Sequence, residues 1–70
     1  MMPLIYSNSG EEQIIKRIGG SPDVKRHLEN LGFTQGGKVT LISSLGGNVI
    51  VKVKESRVAL DEHMAGKIMI

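Results

Sequence analysis

The chain has no cysteine and no tryptophan, and its only aromatic residues are Tyr6 and Phe33. Without thiols there is neither a disulfide framework nor a thiolate metal site. Two rings cannot supply the stacking platforms of single-strand nucleic-acid readers, nor the aromatic groove that grips proline-rich peptides. No apolar run approaches the roughly 20 residues needed to cross a bilayer. The opening MMPLIYSNSG lacks the basic start and the long apolar stretch of a secretory signal. The expectation is a cytoplasmic protein with no direct membrane insertion. A block of like charge is missing too. Nine Lys and Arg against seven Asp and Glu leave a formal charge of +2, and the two signs are interleaved. That allows weak attraction to an acidic surface without requiring nucleic acid.

What is present is short. Seventy residues make one domain, 1–70. At this size folding hides only about 60% of the surface that the open chain exposes, so total stability is roughly 3–10 kcal/mol. There is little room for an enclosed substrate cavity, and the working surface is expected to be an edge, a groove or a face.

Residues 1–10 read as a lead-in ending in the turn Ser7-Asn8-Ser9-Gly10, and 11–18 as a strand with Ile14 and Ile18 on one face. The clearest helix follows Gly19-Gly20. Ser21 can cap it, Pro22 suits its first position, and Asp23 complements the dipole. Val24, Leu28 and Leu31 then form one apolar stripe. Gly32 is placed as the left-handed residue after the helix, and Phe33 packs back on Leu28 in a Schellman ending.

Residues 38–45 and 49–54 alternate as two strands around Gly46-Gly47-Asn48. A three-residue loop pairs Leu45 with Val49 and Leu41 with Val53, keeping both apolar sets on one face; a two-residue loop would set apolar against polar. The outward face then carries Ile42, Ile50, Lys52 and Lys54, with Lys52 across from Ile42. Isoleucines beside lysines have the make-up of an apolar anchor with a basic rim, so these four residues are the candidate partner-binding site. Arg57 to Leu60 is a further strand, Asp61 caps a single helical turn, and Lys67 to Ile70 closes the chain. The reading is a mostly β domain: a small closed barrel of about five strands, one inserted α-helix and a short C-terminal helical turn.

Catalytic and metal constellations are not legible. Gly32 to Lys38 fits the GxxxxGK part of a phosphate loop, but Val39 stands where the magnesium-binding hydroxyl belongs. The segment also leaves a helix and enters a strand, the reverse of a phosphate loop. Gly19-Gly20-Ser21-Pro22 could form an anion nest, although turn and cap duties explain the same residues. His27 and Glu29 diverge on the helix, and Asp61, Glu62 and His63 are accounted for by capping and exposure. The serines have no obvious base. The expectation is no enzyme, no cofactor and no dedicated metal site.

One ordered set of residues is similar to a known family. Pro3-Leu4, Gly10, Ile14, Ile18-x-Gly20, Arg26-x-Leu28-x-x-Leu31-Gly32, Gly36, Val39, Val51-x-Val53, Arg57-Val58-Ala59-Leu60, Ala65, Ile68 and Ile70 resemble the ferrous iron transport protein A (FeoA) family in order and spacing. The likeness runs from about Pro3 to Ile70. It implies an SH3-like barrel with the helix inserted between the first two strands. It further implies a regulatory or structural role beside FeoB, the membrane permease with a cytoplasmic GTPase portion, which would hold the domain at the inner face of the membrane. No catalytic or metal-ligand motif comes with the family. The same module ends repressors of the diphtheria toxin repressor type. A chain that starts with Met here and lacks a DNA-binding helix pair fits the free-standing form better. A free-standing barrel binding nucleic acid or another ligand is the remaining alternative, and weak self-association stays open.

Overall fold

A computed structural model describes residues 1–70. After a turn of 3-10 helix at Leu4–Tyr6 come β1 (Glu12–Ile14), β2 (Arg17–Ile18), α1 (Pro22–Asn30), β3 (Lys38–Leu45), β4 (Asn48–Val53), β5 (Ser56–Asp61), α2 (Glu62–Ala65) and β6 (Ile68–Met69). Two antiparallel sheets result, one ordered β1-β3-β4-β5 and the other β2-β6. The helix lies between strands of different sheets, so it is an insertion in the barrel wall.

Six strands appear where about five were expected, because 11–18 is not one strand. β1 pairs with β3, whereas β2 pairs with β6. Ile15 is the corner: its N–H donates to the Gly37 carbonyl, and the next N–H, of Lys16, donates to Met69 in the other sheet. This changes which isoleucine points inward. Ile15 is 1% exposed and Ile14 is 46% exposed, the reverse of the expectation for Ile14. With two adjacent isoleucines, strand pairing and not hydropathy selects the buried one.

The helix forms as its residues dictate. Ser21 Oγ accepts the Val24 N–H at 3.3 Å, Pro22 opens the helix, and Gly32 follows it at φ +108°. The Phe33 N–H donates to the Leu28 carbonyl and the Gly32 N–H to Glu29, both at 2.9 Å, which completes the Schellman pair. Leu28 and Phe33 are fully buried; Val24 and Leu31 pack against the core from its margin.

The lead-in is more than a tail. Met2 and Ile70 exchange backbone hydrogen bonds at 2.9 and 2.8 Å, Pro3 bridges Met69, and Leu4 is fully buried. The two ends of the chain are thus paired along β6. Every residue in the core is apolar, and no buried side-chain polar atom lacks a partner.

The central hairpin departs from its expected register. Leu45 pairs with Asn48, leaving Gly46-Gly47 as a two-residue turn with φ +57° and +84°. Two consecutive positive φ values are what the twist-matched hairpin turn needs, and two glycines adopt them freely. The mismatch that a two-residue turn creates is absorbed by a bulge between Leu41 and Ser43, with Ile42 as the extra residue. Beyond it Leu41 faces Val51 and Val39 faces Val53, all inward. Three expectations are corrected. Leu41 does not pair with Val53, Leu45 does not pair with Val49, and Leu45 is 81% exposed at the hairpin tip.

Candidate functional site

The outward face of the four-stranded sheet is built by register. Glu12 on β1 stands across from Thr40 on β3, Thr40 across from Lys52 on β4, and Lys52 across from Arg57 on β5. One row therefore crosses all four strands with polar side chains throughout. In the next row Lys38 stands across from Ile14, and Lys54 follows the end of β4.

Between these rows lies an open groove of about 400 Å³ lined by Glu12, Gly36, Gly37, Lys38, Thr40, Lys52 and Lys54, with no hydrophobic side chain among them. Three ammonium groups share it with one carboxylate. Glu12 Oε1 reaches Lys38 Nζ at 3.9 Å, with both side chains more than 60% exposed, so the pair adds little stability. Lys54 holds φ +55° in the turn to β5 and is the only non-glycine residue of the chain with positive φ. A left-handed conformation is unfavourable for a residue with a Cβ, and here it sets a lysine at the rim of the groove.

Of the four expected contact residues, Lys52 and Lys54 are exposed and share this groove. Ile42 and Ile50 lie outside it and are half-buried. Ile50 belongs to the neighbouring row, between Ser43 and Ala59, while Ile42 is the bulge residue. Lys52 faces Thr40 and not Ile42 as expected, because the bulge moves Ile42 out of step. Glu12, Lys38 and Thr40 were not foreseen as part of the site. Their membership depends on how β1 pairs with β3, which the alternation within one strand does not encode.

The other candidate segments take structural roles. The Gly36 N–H donates to Ile15 at 2.7 Å and the Gly37 N–H to Thr34 at 2.9 Å, so the GxxxxGK-like stretch is a helix stop and a turn. Asp61 Oδ1 accepts the Met64 N–H at 2.7 Å as the cap of α2. No group of three or more His, Asp or Glu side chains gathers where a metal ion could be held. A smaller depression of about 200 Å³ beside α1 is lined by Arg17, Ile18, Lys25, Glu29 and Gln35, with basic and acidic groups mixed. No helix is long and apolar enough to cross a membrane.

Six strands in two antiparallel sheets, with one inserted helix and an open basic groove, define a small SH3-like domain whose chemistry lies on its surface. Residues 2–70 match the FeoA domain, and the chain belongs to that family. It is 34% identical over its whole length to a protein of Methanocaldococcus jannaschii that carries the provisional name Fe(2+) transport protein A, covering 85% of that protein. Among solved structures, it is similar to an iron uptake regulatory protein (FeoA) with a TM-score of 0.85 and 27% identity, over 96% of this chain and 89% of that one. The same shape is found within a manganese-dependent transcriptional repressor at a TM-score of 0.82. There the identity is 17%, over 97% of this chain and 39% of the repressor, a likeness of fold alone.

Proposed function

We propose that this domain is a non-catalytic, cytoplasmic accessory of ferrous iron transport. It docks on the cytoplasmic portion of a FeoB-type permease through the outer face of β3 and β4, which brings it to the inner face of the membrane. The family supports the transport assignment. The observation that carries the docking face is the placement of half-buried Ile50 one row from Lys52, with Lys54 at the rim of the same sheet. A small apolar anchor beside a polar, charged rim is the ordinary anatomy of a protein contact. The same fold occurs within a longer repressor, and a module of such a regulator is the second reading. The 34% identity over the whole chain weighs toward transport.

The test is binding to the full-length permease in detergent. Ile50→Asp should weaken the complex by at least about tenfold, mainly through faster dissociation. Lys52→Glu should slow association and flatten its salt dependence. An Ile50→Asp protein that is folded by circular dichroism and binds as tightly as wild type would overturn this docking face.

A further inference from the structure

We propose that the groove of Lys38, Lys52 and Lys54 receives an extended acidic segment of a protein partner, with carboxylates at alternate positions. This deepens the docking reading and rests on it for where the partner binds, but not for which protein the partner is.

Charge comes first. The groove sets three ammonium groups against Glu12 alone, so its net charge equals the +2 of the whole chain. Lys52 also stands directly across from Arg57, and Lys38 and Lys54 line the same groove. Like charges opposite each other across a ladder destabilise a sheet. Nothing within the chain compensates them beyond the loose Glu12–Lys38 pair. A row of anions laid in the groove would offset the charge of Lys38, Lys52 and Lys54.

Spacing decides the shape of that row. The backbone positions of Lys52 and Lys54 are two residues apart, about 6–7 Å along the chain, which is the interval at which alternate residues of an extended peptide repeat. Lys54 itself stands just past the end of β4, in a left-handed turn. A segment with glutamate or aspartate at every second residue therefore carries its carboxylates at the spacing of these two positions. Thr40 supplies a hydroxyl between them and the carboxylate of Glu12.

Other anions fit less well. A phosphate cradle needs free backbone N–H groups, and those of Gly36 and Gly37 are already donated to Ile15 and Thr34. Single-stranded nucleic acid is held on stacking rings, and no aromatic residue lines the groove. An anionic lipid surface is flat and is usually reached by an apolar wedge, whereas this site is concave and has no hydrophobic lining.

The experiment follows the backbone amides of the full chain by NMR during titration with a synthetic peptide alternating serine and glutamate. Saturable shifts should centre on Lys38, Thr40, Lys52 and Lys54 and weaken as salt is raised. Lys54→Gln should weaken binding about two- to fivefold, the scale of one exposed ion pair, and Lys52→Glu about tenfold, since charge reversal adds repulsion to the loss of a pair. Lys25→Glu, on the helix, should change it less than about twofold. A peptide of the same composition with its glutamates in one block should bind more weakly. Equal binding by a glutamine version of the peptide would overturn the proposal. So would tighter occupation of the same amides by pyrophosphate, an oligonucleotide, or phosphatidylcholine vesicles containing phosphatidylglycerol. If the glutamate peptide binds while the permease is not retained, the groove assignment stands and the FeoB partnership fails. If the permease is retained and the peptide leaves the groove unshifted, the partnership stands and the acidic segment fails.

Discussion

The two faces of the four-stranded sheet are made by the same strands and do opposite things. Inward, Val39, Leu41, Val49, Val51 and Val53 form a closed apolar layer. Outward, Lys38, Thr40, Lys52 and Arg57 form a polar, mostly basic one, with Glu12 of β1 giving Lys38 a loose, exposed ion pair. Stability resides in the first layer. Removing roughly 25 cal/mol per Å² of apolar surface from water is the main term holding so small a domain together. The second layer costs a little of that stability through repulsion and through the left-handed backbone of Lys54. What the contrast teaches is that the inner face carries the fold, while the outer, solvated face is the one we propose a partner occupies.

The comparison breaks most sharply on the inner face. Leu41→Ala should destabilise the domain by about 2–5 kcal/mol, the range for truncating a buried leucine. Chemical denaturation measures this directly. A shift below about 1 kcal/mol would mean that the bulge beside Leu41 lets the layer collapse and that the face is less closely packed than its burial indicates. An intermediate effect belongs to the helix that covers one margin of that layer. In Gly32→Ala the new Cβ would lie 3.6 Å from Val53 Cγ2, an ordinary contact, so the penalty is conformational. It should be about 1–2 kcal/mol, read as a lowered melting temperature. Equal stability would show that the Schellman ending can re-form without glycine.

The smallest effect has the opposite sign. Lys54→Gly removes a Cβ from a φ of +55° and one cation from the groove. It should raise stability by about 0.5–1 kcal/mol while weakening capture of the acidic peptide. A variant that loses stability would show that Lys54 has a folding role, and the two faces would then be less separate than described.

The helix was legible in every detail because each of its signals acts within one turn of chain. A Ser21 hydroxyl, a Pro22 ring, a Gly32 backbone and the Leu28–Phe33 contact need no distant partner. The order of apolar and glycine residues likewise identified the family, since spacing along a chain survives whatever the chain folds against. The tertiary structure alone decided the pairings. It chose Ile15 over Ile14 for the core, because β1 and β2 belong to different sheets and the chain turns a corner between them. It placed the bulge at Ile42, because two glycines favour a tight turn and the register error had to be absorbed further along. It brought Glu12, Lys38 and Thr40 to Lys52 and Lys54. Residues distant in sequence become neighbours only through strand register, and register is set by the whole sheet and not by any one strand.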